Sequence, residues 1–136
     1  MVHTTNYFDT FIAIAEDSPT EHGVEPPAKS EPTIAALHYE LIANAPYTRT
    51  SDDVIFETYA RRAGIAEEDL ATARDVFFSK GQPCLRSSPL GKRYGWGIHS
   101  DTQGRVALVA ADSDEYARLA ADATTAQTRA MRSRRA

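Results

Sequence analysis

The sequence predicts a two-layer α+β fold in which three to four helices pack on one face of a small, mainly antiparallel sheet. Three observations support this class. Residues 7–15 are rich in β-branched and aromatic types, which favours a strand. Segments with helical periodicity follow, and alternation resumes at 94–111, where a central turn indicates a hairpin. The 136 residues, 42% of them hydrophobic, suffice for a single domain over 1–136.

The first half of the chain contains a strand, a long loop and a helix. In the strand, Phe11 and Ala13 alternate with Ile12 and Ile14, so both faces are expected to be covered. Residues 16–32 hold four of the seven prolines and form a Pro-rich loop, either mobile or pinned against the body. The amphipathic helix over 33–44 places these residues on one stripe: Ile34, Leu37, His38, Leu41 and Ile42.

The second half predicts two more helices, a hairpin and a final helix. Ser51 caps a helix that ends at Gly64, and a third helix runs from 67 to about 80. Residues 84–92 are expected to be a loop. Strands at 94–99 and 105–111 then form the hairpin, and Ser113 caps a short helix. Residues 123–136 are expected to be a basic helical extension or tail.

Charge is divided unevenly along the chain. The net charge is −4, yet residues 80–105 and 123–136 each carry +4, while the remainder carries −12. An acidic body with two basic segments argues against non-specific nucleic-acid binding by the whole domain, but it allows a local anion site. No apolar run approaches the ~20 residues of a membrane span, and no secretory signal is visible, so a cytoplasmic protein is expected.

Four segments resemble a family of small uncharacterised bacterial proteins that share a domain of unknown function. They are TTNYFDTFI at 4–12, YTRTSDDV at 47–54, FFSKGQPCLR at 77–86 and SPLGKRYGWGIH at 88–99. The resemblance extends over essentially the whole chain. It implies a bacterial, single-domain protein, and it supplies no activity, ligand or catalytic residue.

The basic segment near the hairpin is the candidate site. We expect a small anionic ligand to bind Arg86, Lys92, Arg93 and His99, because guanidinium and ammonium groups recognise phosphates and carboxylates. Glycines at 95 and 97 clear the strand face that His99 shares. Alternatively, the bases neutralise the acidic helices, and the glycines let a helix lie close. Repulsion by Lys92 and Arg93 is expected to lower the pKa of His99 below about 6.5.

Other constellations are weaker. A single cysteine, Cys84, could be an activated nucleophile, but no catalytic signature surrounds it, and buried free cysteines are common. The four histidines lack metal-ligand spacing, and His38 is expected to be a packed, hydrogen-bonded core residue. The alternative function is nucleic-acid binding through the basic hairpin region and the C-terminal tail. The helices before the hairpin resemble a winged helix-turn-helix, but acidic residues open its recognition helix. We therefore expect a binding domain rather than an enzyme, with no metal and no cofactor.

Overall fold

The computed structural model describes residues 2–133. Its elements are β1 (Thr10–Ala13), α1 (Ile34–Ala43), α2 (Ser51–Ala63), α3 (Leu70–Phe77), α4 (Pro89–Arg93), β2 (Trp96–Ser100), β3 (Val106–Ala110), α5 (Asp114–Ala120) and β4 (Ala126–Arg129). Short 3-10 turns precede α3 and α4. The predicted α+β class is confirmed, and α4 is the one α-helix in the described chain that the sequence did not indicate.

The sheet has four strands in the order β3-β2-β1-β4. The predicted hairpin pairs β2 with β3 antiparallel, and β2 pairs antiparallel with β1. On its other side β1 pairs parallel with β4. The sheet is therefore mixed but mainly antiparallel, and the N-terminal strand lies inside it rather than at an edge.

Alternation along β1 places its side chains in two core clusters, one on each face of the sheet. Ile12 joins Ile98 in a cluster that α1 and α2 cover through Leu41 and Val54. Phe11 points to the opposite face, where α5 packs against it. The structure therefore adds one helix on the second face, where the sequence analysis expected helices on one face only.

The helix ends follow capping chemistry. Thr33 accepts a hydrogen bond from the Ala36 backbone N–H at the start of α1. At α2 the cap is Thr50 rather than the expected Ser51, because Thr50 and Asp53 form a reciprocal capping box. Gly64 ends α2 in the left-handed conformation, and Ser113 caps α5, both as expected.

Two segments differ from their predictions. Residues 84–92 contain a 3-10 turn and α4, with Ser88 as the N-cap and Pro89 in the first turn, instead of an irregular loop. Within 123–136 the chain forms β4 rather than a helical extension or tail, because the backbone of β1 offers it a parallel partner. The last basic residues of that segment, Arg134 and Arg135, lie outside the described residues.

The Pro-rich loop at 16–32 is pinned against the body. The Val24 backbone N–H donates to the Tyr94 carbonyl at 2.8 Å, and the indole of Trp96 donates to the Val24 carbonyl at 2.9 Å. The loop runs so close to Gly95 that a Cβ there would collide with the His22 carbonyl. In the part of the chain that the structure describes, no helix has the length and apolar character needed to cross a membrane.

Gly95→Ala tests this close approach. Gly95 has a φ of +75°, and its added Cβ would displace the loop at His22. We expect it to lower the free energy of unfolding by about 3 kcal/mol, from left-handed strain plus overpacking. The control is Gly64→Ala, where φ is +69° and nothing lies within 4 Å of the new Cβ. That variant should lose only about 1–2 kcal/mol in urea unfolding, and equal losses would contradict the account.

Candidate functional site

A cleft of about 970 Å³ lies between α1, α2 and the segment 83–89. One stripe of α1 from Ile34 to Glu40 and one stripe of α2 from Ile55 to Ala63 line it, while Leu41 and Val54 pack in the core. Its walls are mainly apolar, from residues such as Leu37, Ile55 and Phe77. Mostly apolar clefts of this size with a few convergent polar groups are typical of small-molecule sites.

Thr58 is a buried hydroxyl with an unmet hydrogen bond. It lines the cleft from the middle of α2 and is 4% exposed. A threonine at such a position commonly bonds to the carbonyl four residues earlier, yet Thr58 Oγ1 has no hydrogen-bond partner within residues 2–133. A buried unsatisfied polar group costs about 1–3 kcal/mol. The oxygen is enclosed by neighbouring atoms in this conformation, so a polar group in the cleft reaches it only after the Thr58 side chain rotates.

His38 and Ser88 form the polar base of the cleft. His38 Nδ1 lies 2.8 Å from Ser88 Oγ, and the two residues are 6% and 2% exposed. The expectation that His38 is a packed, hydrogen-bonded residue is confirmed. Burial lowers the pKa of His38 to about 4, so the imidazole is neutral at neutral pH. Ser88 Oγ also accepts from the Leu90 backbone N–H, so this pair joins α1 to the start of α4.

The outer part of the cleft combines aromatic rings and charges. The rings of Tyr59 and Phe77 stack with centroids 4.7 Å apart and an interplanar angle of 28°. Arg61 forms an exposed ion pair with Glu40 at 3.5 Å. Arg62 also lines the cleft, and no carboxylate among residues 2–133 pairs with it. The two neighbouring arginines therefore differ in pairing: Arg61 is in an ion pair, whereas the guanidinium of Arg62 has no carboxylate partner among residues 2–133.

The three predicted basic site residues lie outside this cleft. Arg86 donates from Nε to the Arg129 carbonyl at 2.6 Å, which fastens the end of β4. Lys92 and Arg93 lie in the last turn of α4. Arg93 borders a smaller recess of about 290 Å³, which Asp17 also lines. An anion site at these bases stays a prediction.

His99 lies at a different place from those bases. Its Nδ1 is 2.8 Å from the Tyr47 hydroxyl, on the sheet face that carries Phe11. His99 is three residues, or roughly 10 Å, along β2 from Trp96. Helix α4, which carries Lys92 and Arg93, packs near Trp96. The lowered pKa of His99 agrees with the expected direction, but burial rather than Lys92 and Arg93 causes it.

The glycine-cleared strand face is not open. A Cβ on Gly97 would lie 2.8 Å from the Phe11 ring and 2.9 Å from the Tyr116 ring. Gly97 therefore allows close packing of aromatic side chains under α5, and Gly95 allows the passage of the Pro-rich loop. This matches the alternative in which the glycines serve packing.

Cys84 lies in the cleft wall, with its Sγ 3.3 Å from the Tyr7 hydroxyl. Burial is the main cause that raises the pKa of the Tyr7 hydroxyl. The adjacent Cys84 raises it further, while Arg86 lowers it. Residues 2–133 contain no cluster of three His, Cys, Asp or Glu side chains placed to hold a metal ion. The polar chemistry of the cleft therefore comes from hydroxyl, thiol, imidazole and guanidinium groups.

Sequence reasoning did not identify the cleft or the role of Thr58. Ile55, Thr58, Tyr59 and Arg62 recur at the spacing of one helical stripe of α2, and all four line the cleft. A threonine within such a stripe was the available signal, because an apolar stripe rarely leaves a hydroxyl without a partner. The spacing could not indicate that this stripe faces a cleft.

The buried neutral His38 predicts a loss of stability in acid. The unfolded chain takes up the proton near pH 6.5 and the folded protein only near pH 4. Between these values the unfolded state binds more protons, so the free energy of unfolding falls by about 3 kcal/mol as the pH is lowered. Urea unfolding at several pH values should show this fall, and His38→Gln should show a smaller one. Identical pH dependence in both proteins would contradict the assignment.

Comparison with known proteins identifies the family. Neither the curated proteins nor the solved structures give a match. The family model DUF6157, described as a family of unknown function, matches residues 2–136, which agrees with the resemblance to a domain of unknown function. The chain thus belongs to DUF6157, a family of unknown function.

Proposed function

We propose that this protein is a binding domain for a small, mainly apolar molecule, which occupies the cleft between α1 and α2. The observation that carries the proposal is the buried, unpartnered hydroxyl of Thr58, a residue in the wall of a cleft of about 970 Å³. Buried polar groups in folded proteins almost always have a partner. Rotation of the Thr58 side chain turns its hydroxyl to the cleft, where a ligand with one polar group at Thr58 and an apolar body against Leu37 and Ile55 supplies that partner.

The cleft has stronger support than the basic segment at 80–105. Its volume falls within the range of roughly 300–1,000 Å³ that is typical of small-molecule sites. In the basic segment, Arg86 already donates to the Arg129 carbonyl, and His99 is bonded to Tyr47. Each of those side chains already has a hydrogen-bond partner for one nitrogen, whereas the Thr58 hydroxyl has none among residues 2–133.

Binding rather than catalysis fits the hydrogen bonds of the polar base. Ser88 is 2% exposed, and its hydroxyl both caps α4 and bonds His38. A nucleophilic serine needs access to substrate as well as a base. The His38–Ser88 pair is better explained as a fixed polar base, which keeps α1 and α4 at the distance that the cleft requires.

Blocking the cleft tests the proposal. Ala63 is exposed at the end of α2 and lines the cleft, so Ala63→Trp places an indole there without disturbing the core. The matched control is Ala117→Trp, at an exposed position on α5. The probe is 2-phenylethanol, which is small, mainly apolar and uncharged, and binding is measured from shifts of backbone amide resonances.

In the wild type and in Ala117→Trp, millimolar 2-phenylethanol should shift amides of α1 and α2. In Ala63→Trp the apparent affinity obtained from these shifts should fall at least about tenfold, because the indole occupies the space that the probe needs. Equal binding by the two variants, or shifts confined to α4 and the hairpin, would contradict the proposal.

A further inference from the structure

We infer that the natural ligand of the cleft is a small aromatic carboxylic acid, whose carboxylate binds Thr58 and Arg62 together. This inference rests on the proposed function and adds the chemical class of the ligand. It depends on the pairing of an unpartnered hydroxyl with an unpartnered guanidinium on one helix face. Of the other polar side chains in the cleft, His38, Ser87 and Ser88 are hydrogen-bonded, and Arg61 is paired with Glu40.

Thr58 and Arg62 are four residues apart on α2, so they are neighbours on the helix surface, with Cβ atoms about 5–6 Å apart. Side chains in a helix lean toward its N-terminus. The guanidinium of Arg62 therefore extends back over the turn that carries Thr58. A carboxylate at this turn accepts one or two hydrogen bonds from the guanidinium, and one from the Thr58 hydroxyl after that side chain rotates toward the cleft.

Arg62 differs from the adjacent Arg61 in its available charge. Arg61 is paired with Glu40 at 3.5 Å, which neutralises both groups at the rim of the cleft. The other carboxylate that lines the cleft, Glu31, is exposed at the end of the Pro-rich loop and is not paired with Arg62. Arg62 is thus the lining cation that an anionic ligand can meet without breaking an ion pair, and guanidinium–carboxylate hydrogen bonds are among the strongest in proteins.

The walls beside this turn favour a flat, apolar body for the ligand. Tyr59 and Phe77 stack at 4.7 Å, and Tyr59 is 44% exposed, so its ring offers a face to a further aromatic group. Leu37 and Ile55 line the same space, and His38 brings no charge at neutral pH. The cleft therefore has one cationic turn at Arg62 beside apolar walls, and its other charged lining residues are the Arg61–Glu40 pair and the exposed Glu31.

Paired probes separate charge recognition from apolar binding. Phenylacetate and 2-phenylethanol have the same ring and nearly the same length, but only the first carries a carboxylate. The variants are Arg62→Gln, which removes the cation, and Thr58→Val, which removes the hydroxyl and keeps the shape. The control is Arg93→Gln, which makes the same charge change in the predicted basic site outside the cleft.

The wild type should bind phenylacetate at least about tenfold more tightly than 2-phenylethanol, a factor typical of one charge-assisted contact. Arg62→Gln should abolish this preference. Thr58→Val should weaken phenylacetate binding several-fold without loss of folding, while Arg93→Gln should behave as wild type.

If both probes bind in the cleft with equal affinity, or Arg62→Gln has no effect, the ligand class is wrong and the proposed binding function stands. If Arg93→Gln removes the preference instead, the anion site lies at α4, and if neither probe binds, both proposals fail.

Discussion

The burial of β1 on both faces is the constraint on which the rest of the fold depends. Phe11 is fully buried on one face of the sheet, and Ile12 is 2% exposed on the other. Burial of two such side chains contributes on the order of 3–6 kcal/mol. This contribution requires strands on both sides of β1 and helices on both faces, and β2, β4, α5 and the α1–α2 pair meet that requirement. The chain before β1 is fixed as well, since Asp52 accepts from the Thr5 backbone N–H and hydroxyl.

The cleft follows from the way α1 and α2 cover the sheet. Leu41 near the end of α1 and Val54 near the start of α2 pack into the core beside Ile12. The far ends of the two helices extend beyond this contact, and there the same stripes line the cleft instead of a core. The His38–Ser88 hydrogen bond and the Arg61–Glu40 ion pair hold these ends in place. On each helix, one end of the stripe packs in the core and stabilises the fold, while the other end lines a space of ligand size.

The elements with strong local patterns could be predicted from the sequence. The stripe with Leu37 and Leu41, the cap at Ser113 and the alternation of Trp96 with Gly97 each depend on neighbours close in the chain. These patterns were sufficient to predict an α+β fold with a C-terminal hairpin.

The elements that depend on distant partners could not be predicted in the same way. The edge strand β4 is mostly exposed, so it lacks hydrophobic alternation, and its partner β1 lies more than a hundred residues earlier. Helix α4 has five residues, which are too few for helical periodicity to be detected in the sequence. Likewise, periodicity shows that Thr58 and His38 face inward, but only the tertiary arrangement distinguishes a core from a cleft. The positive charge of the basic residues near 86–93 predicted an anion site there, but the sequence could not show that Arg86 bonds to the end of β4.

The central claim is that the cleft at Thr58 and Arg62, rather than the basic residues near α4, is the binding site. The most direct measurement is a crystal structure with 4-bromophenylacetate, because the anomalous signal of bromine locates the ring independently of the model phases. The account predicts one bromine peak near the Tyr59 and Phe77 rings, with the carboxylate at Thr58 and Arg62. A peak at Lys92 and Arg93 with an empty cleft would contradict it.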